Sequence, residues 1–219
     1  MPRIPIVPAI IPTSLHAVVE ATTSFRFCRE IHVDVVDGIF TETASWPYEP
    51  AGEVITLKSY TDGYTLEVDL MVKDPFAAAR AWEQAGADML VFHAETIDLA
   101  SFKDFIDHTS MTVGISFHGA TALETVLPFI AIADYVQLMG IYTIGVQREP
   151  FDESVFQKIE DIKKTFPNKT ISVDGSVNEK TIARLVSAGV DRLIVGSAIT
   201  LKPDPQQAYT TLTALVNEA

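Results

Sequence analysis

Short apolar runs alternate along the chain with longer segments in which apolar residues recur every three or four positions. Apolar runs bounded by Gly, Pro and Asp predict strands, and the longer spacing predicts amphipathic helices. The predicted strands span residues 4–11, 31–36, 64–72, 89–93, 112–117, 135–139, 169–174 and 192–195.

The segments between these runs predict helices. Ser14 is suited to cap the first helix, and Thr121 is expected to cap a later helix that Pro128 helps to end. The predicted helices span residues 15–28, 53–59, 75–84, 99–108, 121–128, 153–166, 179–187 and 205–217. Strands that alternate with helices at short spacing predict an α/β fold, a single (β/α)8 TIM barrel over residues 1–219, with an open doubly wound sheet as the competing architecture.

The composition is that of an ordinary globular protein, with 47% hydrophobic and 21% charged residues among 219. The formal net charge of −13 argues against a nucleic-acid partner, because such partners require clustered Lys and Arg. If the substrate is a phosphorylated metabolite, local features must hold it, since the overall charge of the protein repels an anion.

Cys28 is the single cysteine, so no internal disulfide forms. Its apolar surroundings indicate a core residue rather than a nucleophile. No apolar stretch approaches the ~18 residues of a membrane span, and the first residues lack a secretory signal pattern. We therefore expect a cytoplasmic protein without a membrane partner.

A histidine and a carboxylate interrupt the second predicted strand. His32 and Asp34 lie two positions apart, so they share one face of that strand. A buried carboxylate is unfavourable unless something compensates its charge. A metal ion is one compensator, and a hydrogen-bonded buried pair is the other; the residues alone leave both open.

Further carboxylates lie near strand ends. Asp34, Asp69 and Asp174 belong to predicted strands two, three and seven, and in a barrel these strand ends meet at one face. Together with His32 they predict a site for one divalent ion. Oxygen ligands favour Mg²⁺ or Mn²⁺, while the imidazole leaves Zn²⁺, Fe²⁺ and Co²⁺ open. For Asp69 alone, a hydrogen bond to the backbone is an equally good interpretation.

Small residues follow strands seven and eight at matching places. Gly175 and Ser176 follow one strand, and Gly196 and Ser197 follow the other. Such turns let backbone N–H groups approach a phosphate, although each dipeptide alone is also typical of an ordinary turn.

Other polar side chains and two methionines lie at strand ends. His93, Glu95 and His118 are interpreted as wall residues rather than ligands, because a lone histidine usually forms hydrogen bonds. Met71 and Met139 are expected to line the core or the pocket, where a thioether gives an apolar surface.

Six sequence blocks, in order along the chain, resemble the ribulose-phosphate 3-epimerase family. The blocks are residues 32–38 (HVDVVDG), 69–75 (DLMVKDP), 85–88 (AGAD), 92–95 (FHAE), 173–176 (VDGS) and 196–199 (GSAI). The resemblance implies a (β/α)8 barrel of the ribulose-phosphate-binding type. It also implies a divalent metal and two aspartates that invert carbon 3 of a pentulose 5-phosphate through a metal-stabilised enediolate.

Individual roles follow from the resemblance. His32, Asp34 and Asp174 match metal ligands of the family, and Asp34 and Asp174 match its acid/base pair. Asp69 occupies the position of a further metal ligand. The phosphate is expected at the two Gly-Ser turns, with the substrate also near His118, Met71 and Met139.

The chain departs from the family pattern at several positions. Asp69 replaces the second metal histidine, Ala9 a serine, His118 an asparagine and Val36 a methionine. The glycine-rich loop after strand six is replaced by residues 140–147 (GIYTIGVQ). The aspartate at position 69 alters a metal ligand, and the replaced loop remodels a wall of the phosphate site.

Three functions remain from the sequence. The first is a metal-dependent epimerase that converts D-ribulose 5-phosphate to D-xylulose 5-phosphate, or a relative acting on another phosphorylated ketose. The second is a barrel that binds a phosphosugar without turnover. The third is a decarboxylase or aldolase on the same scaffold, which needs a lysine at the carboxyl end of a strand, and no predicted strand carries one there. Barrels of this type are often homo-oligomers, but no residue here demonstrates one.

Overall fold

Eight parallel strands form a closed barrel in the computed structural model, which describes residues 4–146 and 148–219. The strands pair in sequence order, and β1 pairs with β8. The strands are β1 (Ile6–Ile10), β2 (Glu30–Val36), β3 (Thr65–Met71), β4 (Met89–His93), β5 (Thr112–Phe117), β6 (Tyr135–Met139), β7 (Thr170–Asp174) and β8 (Arg192–Val195). The barrel confirms the predicted fold class, and its closure excludes the open sheet.

Helices follow the strands around the outside. They are α1 (Leu15–Ser24), α2 (Pro75–Gln84), α3 (Leu99–Asp107), α4 (Leu123–Ile132), α5 (Val155–Thr165), α6 (Ile182–Ala188), α7 (Ser197–Thr200) and α8 (Pro205–Glu218). Short 3₁₀ helices span Val54–Ser59 and Ala94–Thr96. Within the described residues, no helix combines the length and the apolar character that crossing a bilayer requires.

Alternation along each strand separates two environments. In β2, Ile31, Val33 and Val35 belong to the apolar core between barrel and helices. His32 and Asp34 take the opposite positions, which face the barrel interior. The register of β2 and β3 sets His32 beside Glu67 and Asp34 beside Asp69. Four polar side chains of two neighbouring strands are thereby brought together inside the barrel.

Two predicted helix ends are wrong. The helix predicted to reach Cys28 ends at Ser24, and Cys28 follows in a turn closed by its own N–H to the carbonyl of Phe25 at 3.0 Å. Pro128 lies inside α4 rather than at its end. Burial of Val126 and Ile130 on either side of the proline compensates for the helical hydrogen bond that the proline removes.

Thr121 was also expected to cap α4, but Ala122 occupies the cap position and contributes no side-chain bond. The hydroxyl of Thr121 donates instead to the Glu95 carboxylate. Cys28 is 8% exposed, and burial raises its thiol pKa to about 11. Both properties support the interpretation of this cysteine as a core residue, because the reactive thiolate is disfavoured.

Candidate active site

A cavity of about 470 Å³ opens where the strands end. The glycine–serine turns and both strand-end methionines reach it. The sequence-predicted residues that line it are Asp34, Met71, Met139, Asp174, Gly175, Ser176, Gly196 and Ser197. His32 and Asp69 are fully buried below its floor, and His118 is not among the described lining residues.

A compact group of ligand atoms lies at the floor of this cavity. His32, Asp34, Asp69 and Asp174 each offer one ligand atom, and these atoms lie within 4.8 Å of one another. His32 Nε2 lies 3.1 Å from Asp34 Oδ1, yet neither buried atom has a hydrogen-bond partner among the described residues. Buried polar atoms without partners are rare in folded proteins, so this donor set fits a divalent cation.

The two catalytic candidates share an unusual electrostatic environment. Burial, joined by the nearby charge of Asp34, holds the pKa of Asp174 well above its usual range. Burial also raises the pKa of Asp34, against the opposing effect of His32. Two buried carboxylates near one another disfavour simultaneous ionisation unless a cation is added. Each is therefore suited both to proton transfer and to cation binding.

Asp69 is held from two sides. One oxygen lies 2.9 Å from His93 Nε2, and the other accepts a 2.8 Å hydrogen bond from the Gln137 amide. Its partners are side chains, so the alternative of a backbone-bonded carboxylate is wrong. Each oxygen keeps a further lone pair for a cation. Gln137 was not a sequence candidate; it points inward from β6 between two ordinary apolar positions.

A further buried carboxylate, Glu67, lies deeper in the barrel and was not predicted from the sequence. Glu67 accepts hydrogen bonds from Arg192 at 2.9 and 3.1 Å and from the Tyr135 hydroxyl, and one oxygen lies 2.8 Å from His32 Nδ1. Burial alone would raise the pKa of Glu67, but His32 and Arg192 outweigh it and hold that pKa well below its usual range. The signal was available in the alternation of Glu67 and Asp69 on one face of β3.

The end of the cavity beside β7 and β8 carries the small residues. Gly175 has a positive φ of 96°, and Gly140 approaches its carbonyl so closely that a Cβ atom would lie 2.3 Å from that oxygen. The Ser176 hydroxyl donates to the Glu149 carbonyl. A side chain at either glycine would disturb this close backbone packing, so the turn requires small residues.

Two cations line the same cavity, and the sequence analysis named neither. Arg148 has a positive φ of 67°, a conformation uncommon outside glycine, and Lys202 lies 3.6 Å from Glu179. Both residues belong to loops, where no periodic pattern marks a side chain as functional.

The loop after β6 is apolar where it meets the cavity. Ile141 and Ile144 pack with Val36, Met71 and Met139, while Tyr142 is 60% exposed. Gln147, the last residue of the remodelled segment, lies outside the described residues.

His118 stands on the rim beside this loop. Its ring contacts Phe40 and Tyr142, and its backbone N–H donates to Glu95 at 2.8 Å. Burial lowers the pKa of its imidazole. These contacts agree with the interpretation of His118 as a wall residue, and its predicted contact with substrate stays a prediction.

The fold and this arrangement define a (β/α)8 barrel enzyme with a buried acidic centre at the carboxyl end of its strands. A solved structure of similar fold is 3-keto-L-gulonate-6-phosphate decarboxylase from Vibrio cholerae, with a TM-score of 0.72 at 18% identity, covering 99% of this chain and 98% of that one. That likeness concerns the fold. None of the eight strands, all within the described ranges, contains a lysine, which counts against the decarboxylase alternative.

The chain belongs to the ribulose-phosphate 3-epimerase family, whose sequence profile matches residues 5–200. The Bacillus subtilis ribulose-phosphate 3-epimerase is 30% identical over 190 residues, covering 83% of this chain and 84% of that protein. The cytoplasmic isoform from Oryza sativa subsp. japonica is 27% identical over 187 residues, covering 83% and 80%. The resemblance is thereby confirmed, and the chain is assigned to the carbohydrate epimerases, a class of isomerases.

Proposed function

We propose that the chain inverts carbon 3 of a pentulose 5-phosphate and so interconverts D-ribulose 5-phosphate and D-xylulose 5-phosphate. The observation that carries the proposal is the pair of buried carboxylates, Asp34 and Asp174, that line one cavity from β2 and β7. Epimerisation beside a carbonyl needs two proton-transferring groups, one for each face of the reacting carbon. Family membership supplies the substrate class.

In the proposed reaction, one aspartate takes the proton from carbon 3, and the electron pair moves toward the neighbouring carbonyl to give an enediolate. The other aspartate, which starts protonated, delivers its proton to the opposite face of carbon 3. Raised pKa values suit both roles, since a group that exchanges protons near neutral pH works best when its own pKa is close to that pH. The reverse reaction exchanges the two roles.

His32, Asp34, Asp69 and Asp174 would hold one divalent ion, and the unpartnered atoms of His32 and Asp34 support this assignment. When bound, the ion supplies positive charge that stabilises the oxygens made negative by loss of the carbon 3 proton. Three carboxylates favour Mg²⁺ or Mn²⁺, and the single imidazole keeps Zn²⁺, Fe²⁺ and Co²⁺ as alternatives.

The phosphate is proposed to lie at the end of the cavity with the Gly-Ser turns. Gly175, Ser176, Gly196 and Ser197 line that end, and small residues in such turns allow main-chain N–H groups to approach a phosphate. Arg148 joins them with a guanidinium, the side chain best suited to a phosphate. The methionines Met71 and Met139 would face the sugar carbons.

The test is hydrogen exchange followed by NMR. Metal-reconstituted protein is incubated with D-ribulose 5-phosphate in deuterated water, and carbon 3 is observed. We expect deuterium at carbon 3 together with D-xylulose 5-phosphate. Absence of exchange in protein with bound metal contradicts the proposal and favours a barrel that binds a phosphosugar without turnover.

A second candidate is the same reaction on another phosphorylated ketose. The observation in its favour is the loop after β6, where residues 140–147 stand in place of the family's glycine-rich loop and the apolar Ile141 and Ile144 pack against the cavity-lining methionines. Exchange experiments with phosphorylated ketoses of five and six carbons separate the two candidates. Faster exchange with a ketose other than ribulose 5-phosphate supports the second.

A further inference from the structure

We propose that Glu67 is a positioning residue that fixes the ring of His32 so that Nε2, and not Nδ1, faces the metal. The role of the metal rests on the proposed function, whereas the orientation of the ring rests on contacts inside the barrel. Glu67 is 1% exposed and lies beside His32 in the register of β2 and β3.

The hydrogen bonds around Glu67 all point toward its carboxylate. Its Oε1 accepts from Arg192 Nη1 at 2.9 Å and from the Tyr135 hydroxyl, and its Oε2 accepts from Arg192 Nη2 at 3.1 Å. An ionised carboxylate can only accept hydrogen bonds, and the two-fold contact with a guanidinium favours the ionised form. The remaining contact, 2.8 Å to His32 Nδ1, therefore requires that Nδ1 carries a proton.

The other ring nitrogen of His32, Nε2, faces the candidate metal site. With the proton held on Nδ1, a neutral imidazole presents a lone pair at Nε2. That atom lies 3.1 Å from Asp34 Oδ1 and has no hydrogen-bond partner among the described residues. A carboxylate behind a ligating histidine fixes both the tautomer and the orientation of the ring. The geometry of this group matches that arrangement.

His32 and the side chains that support it are buried and come from four strands of the barrel. Glu67, His32, Tyr135 and Arg192 come from strands β3, β2, β6 and β8, and each is 8% exposed or less. The ring of His32 is fully buried, with Nδ1 2.8 Å from Glu67, so this support holds its orientation. A glutamine at position 67 would place its NH₂ group opposite at least one neighbouring hydrogen-bond donor, and two donors cannot form a hydrogen bond with each other.

Glu30, a second acid beside Arg192, provides a matched control. Its Nη2 also lies 3.5 Å from Glu30 Oε2, and among the described residues no hydrogen bond or ion pair joins Glu30 to His32. If the two acids only neutralise Arg192, then Glu67→Gln and Glu30→Gln should both change metal affinity. Positioning of His32 predicts a specific effect on metal binding from Glu67→Gln alone.

The experiment measures Zn²⁺ affinity by competition with a chelating dye in the wild type, Glu67→Gln and Glu30→Gln proteins. We expect Glu67→Gln to bind Zn²⁺ about 10- to 100-fold more weakly. We expect Glu30→Gln to match the wild type. Equal affinity of Glu67→Gln and wild type, or an equal loss in both variants, overturns the proposal.

A second measurement needs no variant and covers the case in which Glu67→Gln fails to fold. Zn²⁺-loaded wild-type protein with ¹⁵N-labelled histidine is examined by long-range ¹H–¹⁵N correlation. We expect His32 Nδ1 to carry a proton and Nε2 to be the zinc-bound nitrogen, and the reverse overturns the proposal. Both measurements are independent of turnover, so a protein that passes them yet fails the deuterium exchange contradicts the proposed function alone.

Discussion

Two groups of carboxylates in the barrel interior behave in opposite ways. The lower group, Glu67 with Arg192 and Tyr135, has hydrogen-bond donors for both of its carboxylate oxygens. The upper group, Asp34 with Asp174, lines the cavity and faces further acids. The pKa of Glu67 is held well below its usual range, while the pKa of Asp174 is held well above its own.

The difference lies in the source of compensation, because both groups are buried. In the lower group, the guanidinium of Arg192 compensates the charge of Glu67 as soon as the barrel folds. Among the described residues, neither Asp34 nor Asp174 forms an ion pair with a lysine or an arginine, so a bound cation is needed to favour ionisation of both carboxyl groups. His32 lies between the two groups, with Nδ1 beside Glu67 and Nε2 beside Asp34. We interpret the lower group as structural and the upper group as the reactive centre.

The largest expected effect comes from the upper group. Asp34→Asn and Asp174→Asn should each lower kcat for epimerisation by about 10²- to 10⁴-fold, because each removes one proton-transferring group. Stability of the metal-free protein should hold or increase, since a buried charge without a partner is lost. Activity assays measure kcat, and thermal unfolding measures the stability. Exposed Asp62→Asn is the control, and near-normal turnover in either site variant contradicts the two-base assignment.

Removal of a charge from the lower group should destabilise the protein. Arg192→Met leaves Glu67 buried without its cation, so the free energy of unfolding should fall by about 3–5 kcal/mol. Denaturant unfolding measures this loss. Arg184→Met, which breaks an exposed pair with Glu153, is the control and should change stability little. A comparable effect of both substitutions would remove the distinction between buried and exposed pairs.

The pH dependence of stability should separate the two groups. Glu67 has a lowered pKa in the folded state, so its contribution is present above its ordinary value of 4.5 and is lost as pH falls. Asp174 has a raised pKa, so the folded state binds its proton more tightly. Its ionisation therefore lowers stability as pH rises from 3.8 through the folded-state pKa.

Urea unfolding of chelator-treated protein between pH 2 and 8 measures these slopes. Asp174→Asn should flatten the loss of stability as pH rises above 3.8, by at most about 1.4 kcal/mol per pH unit. It should leave unchanged the loss of stability as pH falls below 3.8, to which Glu67 contributes. An unchanged slope above pH 3.8 in this variant would show that Asp174 is not the group responsible.

The smallest expected effect concerns the phosphate. Arg148→Met should raise KM for D-ribulose 5-phosphate about tenfold, equivalent to about 1.4 kcal/mol, while kcat changes little. The reason is that the guanidinium binds the phosphate equally in the ground and transition states. Steady-state kinetics measure both constants, with exposed Lys103→Met as the control. A fall in kcat without a change in KM would place Arg148 outside phosphate binding.

The fold was predictable because each strand is a short apolar run with clear boundaries. The errors arose where tertiary packing overrides local preference. Pro128 normally ends a helix, but α4 continues past it because Val126 and Ile130 are buried against the barrel. The predicted extension of α1 to Cys28 failed because an apolar residue signals burial without specifying a helix.

The candidate site was predictable only in part. Asp34, Asp69 and Asp174 could be grouped because parallel strands in a barrel end at one face. Glu67 and Arg192 were missed because 125 positions separate them, and only closure of the barrel brings them together. Arg148 was missed because it lies in a loop, where sequence spacing carries no information about direction.

Calorimetric titration of metal-free protein with Mn²⁺, in two buffers of different ionisation enthalpy, tests the central claim most directly. The claim is that a divalent ion compensates the upper group. We predict one ion per chain, with protons released on binding because the pKa values of Asp34 and Asp174 are raised. The Asp34→Asn/Asp174→Asn double variant should lose this binding. Absence of binding to the wild type, or equal binding by the double variant, would contradict the account.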